Sequence, residues 1–227
     1  MTRSWLADTP VPDEPAGRQQ LGENAWLLRG FALSEMRVIL SELAEITARA
    51  PFRHMVTPGG RTMSVALTNC GLLGWTSDRH GYRYAAHDPV SRESWPPMPA
   101  SFMRLASGSA AEAGFGGFTP DACLINRYVP EARLSLHQDR DERDFASPIV
   151  SVSLGMSAVF LFGGLTRAQR PARVLLEHGD VVVWGGVDRL RFHGVLPLKE
   201  EPGNLFAVSR HPMLLGQRIN LTFRKAG

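Results

Sequence analysis

Apolar positions along this chain follow two different periods, and the change between them marks its main division. Met36, Ile39, Leu40, Leu43 and Ile46 recur at spacings of three and four, which predicts an amphipathic helix over 35–49 with Ser34 as N-cap and Pro51 as its stop. A second helix is predicted from Pro99 to Ala113, with Phe102, Leu105 and Ala106 inward and Gly114 ending it. After Phe118 short apolar or alternating runs take over, at 122–129, 133–139, 149–155, 157–163, 173–177, 180–185, 190–196 and 218–224. Gly, Pro and Asp separate them, the pattern of a sandwich or jelly-roll barrel. The stretch 52–97 fits neither period. It interleaves Trp75, Arg79, His80, Tyr82, Arg83, Tyr84 and Trp95, too polar for a core and too aromatic for a linker, and is read as a recognition lid. The expected class is α+β but mainly β, in one domain spanning 1–227. Within it, 1–20 is a loose arm, 21–118 carries the helices and lid, and 119–227 forms the jelly-roll core.

Composition narrows the setting. At 227 residues and 44% hydrophobic content there is enough apolar material for one well-cored domain. No apolar run is long enough to cross a bilayer, and the opening MTRSWLADTPVPDEP lacks the hydrophobic stretch of a secretory signal. With only Cys70 and Cys123, no disulfide framework is expected, so the expectation is a cytoplasmic monomer with reduced thiols. The net charge is +3, and 23 of the 25 cations are Arg, the exceptions being Lys199 and Lys225. Arginine's planar fork matches carboxylates and phosphates. Codon bias in a GC-rich genome accounts for most of that preference, and the charge permits nucleic-acid binding without demonstrating it.

Candidate chemistry enters with Arg133-Leu-Ser-Leu-His137-Gln-Asp139. In a strand, side chains two apart share a face, so His137 and Asp139 can reach one cation together. His193, in Leu190-Arg-Phe-His-Gly194, is the best third ligand, completing the two-His, one-carboxylate triad of non-haem iron oxygenases. Chance alone gives about 0.3 His-x-Asp pairs at this composition, so the pair is weak by itself. Asp141, Glu142, Arg143 and Asp144 follow directly, as they would in a solvated turn. His178 is a rival third ligand, but Glu177-His-Gly-Asp180 reads as a tight turn between two apolar strands.

The last strand decides between these readings. Ile219, Leu221 and Phe223 lie on one face of 218–224, and Arg218, Asn220, Thr222 and Arg224 on the other. Two arginines inside a barrel are costly unless anions neutralise them, and a dicarboxylate such as 2-oxoglutarate supplies two charges. Leu124, Asn126 and Tyr128 share a face of 122–129 and add an amide and a phenol that can hydrogen-bond a carboxylate.

Together Asn126-Arg-Tyr128, His137-Gln-Asp139-Arg-Asp141, Ile149 to Gly155, Phe162-Gly-Gly164, Leu176 to Gly186 and Arg218-x-Asn-Leu-Thr-Phe-Arg224 resemble the bacterial AlkB family. Pro51-Phe-Arg53, Met55 to Gly60, Thr68 to Gly71 and Gly74-Trp75 extend the resemblance across residues 25 to 227. It implies a double-stranded β-helix core under a nucleotide-recognition lid. The implied activity is an iron(II)- and 2-oxoglutarate-dependent dioxygenase using O₂ to reverse N-alkyl damage such as 1-methyladenine and 3-methylcytosine. The implied substrate is alkylated single-stranded DNA first, with double-stranded DNA and RNA left open. By the same resemblance Trp75 and Tyr82 border the flipped base, Asp141 meets its exocyclic amine, and Arg167 lines the substrate side. Asn126, Tyr128, Arg218, Asn220 and Arg224 would hold 2-oxoglutarate, with the choice between Arg218 and Arg224 for the distal carboxylate open. The chain departs from the family pattern in a longer stretch at 199–216 and in Arg61, where an aromatic is expected. Two alternatives remain: the same core acting on RNA, protein or a small molecule, and a barrel that binds metal or single strands without turnover.

Overall fold

The two faces of the C-terminal strand pack against different partners, and that difference organises the molecule. The structure, a computed structural model, describes residues 17–199 and 211–227. Four strands precede the recognition segment or belong to it: β1 (Arg18–Gly22), β2 (Ala25–Leu28), β3 (Arg53–Val56) and β4 (Thr62–Gly71). A hairpin follows, β5 (Gly74–Asp78) and β6 (Gly81–Ala85). Then come β7 (Ala122–Tyr128), β8 (Leu134–His137), β9 (Ile149–Gly155), β10 (Ala158–Phe162) and β11 (Ala172–Leu176). The chain closes with β12 (Val181–Trp184), β13 (His193–Val195) and β14 (Arg218–Arg224). The helices are α1 (Met36–Arg49) and α2 (Ala100–Glu112).

The large sheet runs β1-β2-β12-β9-β14-β7-β4-β3 and the small one β11-β10-β13-β8. On one side of β14, Ile219, Leu221 and Phe223 join Ile39 and Leu43 of α1 and Phe102 of α2 in one core cluster. Phe102 meets Phe223 edge to face, with ring centroids 5.9 Å apart. Burying each of these side chains contributes about 1.5–3 kcal/mol, which seats the helices on the sheet. On the other side Leu27, Tyr128 and Trp184 of the large sheet pack against Phe160, Val174 and Val195 of the small one. All seven residues of β14 are buried, so its polar face looks into the protein and not into water. This is the jelly-roll arrangement, with each strand expected after residue 118 present, although β8 and β13 are much shorter than the expected 133–139 and 190–196 and β8 stops before Asp139.

Three expectations need correction. The arm assigned to 1–20 lies outside the described residues up to residue 16, but Arg18, Gln19 and Gln20 are in β1, paired to β2. Ser34 does not cap α1. It sits within a single 3-10 turn, Leu33–Glu35, and the helix begins at Met36 with no side-chain cap. The polar segment 52–97 is only partly a lid. β3 and β4 extend the large sheet, and Val65 to Cys70 are buried, so only the β5–β6 hairpin stands apart from it. Trp95 is buried as well, its indole N–H donating to the Ala85 carbonyl at 2.9 Å. Of the extended stretch 199–216, residues 200–210 lie outside the described residues.

Candidate metal and co-substrate site

Strands β8 and β13 are direct neighbours, and their register sets His137 opposite His193. Gly194 permits this. A Cβ there would lie 2.6 Å from the Leu134 carbonyl oxygen, so only glycine lets the two strands close beside the histidines. The imidazole centroids are 4.4 Å apart. Asp139, just past the end of β8, reaches both, with Oδ1 3.6 Å from His137 Nε2 and Oδ2 3.7 Å from His193 Nε2. One donor atom from each of the three residues falls within 4.8 Å of the others. Both Nδ1 atoms are engaged, His137 with the Ser135 carbonyl at 2.9 Å and His193 with the Arg191 carbonyl at 3.0 Å. A carbonyl can only accept, so Nδ1 carries the proton and each Nε2 lone pair turns toward the cation position.

The electrostatics agree with a cation site. Burial lowers the His193 pKa to about 4, with His137 adding to the effect, so the ring is neutral at physiological pH. Burial alone would raise the Asp139 carboxyl. Arg224, His193 and His137 outweigh it and hold Asp139 below the usual carboxylate range. A neutral imidazole and an ionised carboxylate are the forms that bind metal. His178 takes no part, because its Nδ1 accepts the Gly155 backbone N–H at 3.1 Å, a structural bond at the strand end.

Alongside lies a cavity of about 750 Å³ that all three ligands line, together with Asn126, Tyr128, Arg218, Asn220 and Arg224. The two arginines differ sharply. Arg224 is committed to the metal end, donating to Asp139 Oδ2 from Nε at 3.0 Å and Nη2 at 2.8 Å. Arg218, 1% exposed, donates to Ser153 Oγ at 2.9 Å, and among the described residues its Nε and Nη1 have no partner. Burial brings its pKa down to about 10, still well inside the cationic range at neutral pH. A buried guanidinium with two unused donors fits an incoming carboxylate. Tyr128, directly opposite Arg218 in the β14–β7 register, stays a neutral phenol because burial lifts its pKa to about 12. Asn126, Asn220, Thr222 and Ser151 form a hydrogen-bonded ladder between the two ends, from Asn220 Nδ2 to Ser151 Oγ at 2.8 Å and from Thr222 Oγ1 to Asn220 Oδ1 at 2.8 Å.

The mouth of the cavity carries the remaining sequence candidates. Trp75 and half-exposed Tyr82, on facing strands of the hairpin, stack at 5.5 Å with planes 16° apart. The Trp75 indole N–H donates to Asp141 Oδ2 at 2.7 Å, which ties the hairpin to the loop after Asp139. Arg167 also lines the cavity, donating to the Leu136 carbonyl at 2.8 Å. Sequence reasoning missed Glu142, Arg189 and Tyr84, which are joined to one another by the ion pair Arg189–Glu142 at 3.2 Å and the hydrogen bond from Tyr84 Oη to Glu142 at 2.7 Å. Glu142 was hidden in a run that reads as a solvated turn, and no local signal distinguishes it there.

Comparison with known proteins agrees with this geometry. Residues 25–224 match the family model described as the 2OG-Fe(II) oxygenase superfamily. The α-ketoglutarate-dependent dioxygenase AlkB of Salmonella typhimurium is 53% identical over 214 residues, covering 94% of this chain and 95% of that protein. The DNA N(6)-methyladenine demethylase ALKBH1C of Arabidopsis thaliana is 32% identical over 187 residues, 74% of this chain and 41% of that protein. The solved structure of OsALKBH1 superposes with a TM-score of 0.78 at 27% identity, covering 92% of this chain and 99% of that one. The family model spans most of the chain, and more than half of the aligned residues are identical to the Salmonella dioxygenase, so the chain belongs to the 2OG-Fe(II) oxygenase superfamily and, within it, to the AlkB dioxygenases.

Proposed function

We propose that this dioxygenase demethylates N-alkylated bases such as 1-methyladenine and 3-methylcytosine in DNA, taking single strands in preference to duplex. The observation that carries the reading is one cavity lined by the His137–Asp139–His193 triad, the unpaired Arg218 guanidinium and a rim of stacked aromatics beside a carboxylate. His137, Asp139 and His193 hold iron(II). Arg218 and Tyr128 take the distal carboxylate of 2-oxoglutarate, because Arg224 is already paired with Asp139. Asn126, Asn220 and Arg224 serve the end nearer the metal. Bound iron with 2-oxoglutarate and O₂ supplies oxidation of the N-methyl carbon, releasing succinate, CO₂ and formaldehyde.

The chain's own residues supply recognition and orientation. A base must leave the stack to enter the cavity, at a cost of a few kcal/mol that is smallest in damaged or single-stranded DNA. Stacking on Trp75 and Tyr82 offsets part of that, at about 1–3 kcal/mol per base. Asp141 has its Oδ2 occupied by Trp75, leaving Oδ1 to accept from an exocyclic amine. Adenine and cytosine carry that amine, and methylation at the ring nitrogen adds a positive charge the carboxylate favours. Arg167, at the cavity lining, serves the substrate side. The name of the Arabidopsis relative, a DNA demethylase, supports the substrate class.

We read residues 1–227 as one catalytic unit, with the β5–β6 hairpin as the nucleotide-recognition lid. Two buried free thiols suit a cytoplasmic setting, and no helix among the described residues is long and apolar enough to cross a membrane. We read the active form as a monomer. The test is incubation with iron(II), 2-oxoglutarate and oligonucleotides carrying 1-methyladenine, in DNA and in RNA. The expected result is loss of one methylene unit from the DNA strand with matching succinate. Succinate without base change would point to another substrate, and strand binding without succinate to a non-catalytic barrel.

A further inference from the structure

β8 ends at His137, so no strand ladder holds Asp139. Two arginines do. Arg224 grips its carboxylate from β14, and Arg189 donates from Nη1 to its backbone carbonyl at 3.1 Å. Both then turn to a single counter-ion, Glu142. Arg224 Nε lies 3.2 Å from Glu142 Oε1, and Arg189 Nη2 lies 3.2 Å from Oε2. Tyr84 of the hairpin donates its hydroxyl to the same Oε1 at 2.7 Å. All four charged groups are buried, between 3% and 8% exposed. Two guanidinium and two carboxylate charges cancel, the condition under which such a cluster can persist away from water.

We propose that Glu142 is a positioning residue that fixes Asp139 for cation binding, by holding both arginines that grip it and by balancing their charge. This rests on the assignment of the triad as the metal site. Without the Glu142 charge, Arg224 has Asp139 as its only carboxylate partner among the described residues, and the cluster carries a surplus positive charge beside the cation position. A divalent cation then binds more weakly. The consequence reaches the hairpin through Tyr84, so one carboxylate joins the lid to the metal side.

The test uses Co(II) as a spectroscopic probe of the full-length protein, titrated by its visible absorption, with thermal unfolding recorded for every variant. Wild type should bind Co(II), and His137→Ala should lose it; binding that survives His137→Ala would refute the triad assignment itself, separately from this proposal. Given that control, Glu142→Gln should weaken Co(II) about tenfold or more and alter the band. Glu142→Asp keeps the charge, retracts it by one methylene, and should lose less. Tyr84→Phe keeps all the charges and should stay within about twofold of wild type. Unchanged Co(II) affinity in folded Glu142→Gln overturns the proposal. If Glu142→Gln does not fold, Glu142→Asp with wild-type affinity overturns it. A loss in Tyr84→Phe as large as in Glu142→Gln also overturns it, because that would be general loosening.

Discussion

Replacing Arg218 with Met should strengthen the ligand-free protein and cripple co-substrate binding, two effects of opposite sign from one substitution. Arg218 is 1% exposed and, among the described residues, makes one hydrogen bond, to Ser153, and leaves Nε and Nη1 unpartnered. Burial outweighs the pull of Tyr128 and Asp180 and brings its pKa from the ordinary arginine value down to about 10, a net penalty on the charge. At 1.36 kcal/mol per unit that penalty is about 3 kcal/mol. Met keeps the unbranched length and much of the volume while removing the ion. Replacing buried ions by apolar groups of similar size commonly stabilises by about 1–4 kcal/mol. In a chain of this size about 2–4 °C follows each kcal/mol, so the ligand-free midpoint should rise by several degrees. Binding moves the other way. Truncating one partner of a buried charge pair costs about 2–5 kcal/mol, and each 1.4 kcal/mol is tenfold, so 2-oxoglutarate affinity should fall by a factor between about thirty and a few thousand.

The assay is thermal unfolding with and without 2-oxoglutarate, on protein loaded with a redox-inert divalent metal, backed by calorimetric titration. Wild type should gain stability with ligand, about 2.7 kcal/mol at a concentration a hundredfold above Kd. The variant should begin higher and gain little. A variant that begins lower and is still protected by 2-oxoglutarate would refute the reasoning, since Arg218 would then be a satisfied structural cation.

Other outcomes follow from the same geometry. His137→Ala should abolish succinate formation while leaving circular dichroism unchanged; near-normal demethylation would sink the metal assignment. Trp75→Phe keeps a stacking ring but loses the bond to Asp141, so discrimination for a methylated base over the unmodified one should drop, while Trp75→Ala should also raise KM for the oligonucleotide. Substrate-independent 2-oxoglutarate turnover should be nearly unchanged in both, and its loss would show that Trp75 supports the co-substrate pocket. Asp88→Asn tests a pH effect away from the metal. Burial alone would raise the Asp88 carboxyl, but the Arg53 guanidinium at 2.6 Å and the backbone N–H of Val90 outweigh it and lower its pKa. A depressed carboxyl contributes stability that is present above its unfolded pKa of 3.8 and lost as pH falls through the lower folded value. The substitution should therefore cost about 1.5–3 kcal/mol at pH 7 and progressively less below pH 4, read from urea unfolding at each pH. A cost that is constant with pH would rule out the ion pair as its source.

How much of this was legible in the sequence depends on where each residue's partner lies. β14 could be read in full because its period of two is a local property, and both of its faces meet something definite. β4 could not. Val65 and Leu67 pack between the sheets while Cys70 packs toward the helices, so a central strand buried on both faces shows no alternation, and its neighbours' charges made 52–97 look like lid throughout. His178 was separable from His193 by its turn residues, and the Gly155 N–H it accepts explains why that turn needs a histidine nitrogen. Glu142 shows the opposite limit. Its neighbours Asp141 and Arg143 are exposed, and in an irregular segment no period tells which residue turns inward. Its partners lie 47 residues away at Arg189 and 58 away at Tyr84, while Arg224 reaches Asp139 across 85. A charge is buried only where opposite charge arrives to meet it, so the inward turn of Glu142 depends on where β14 and Arg189 end up after the sheets have closed. The first ligand, His137, follows from a strand rule. The orientation of the second, Asp139, is a property of the assembled barrel, and substitutions far from it in sequence, at 142 and 189, should move it.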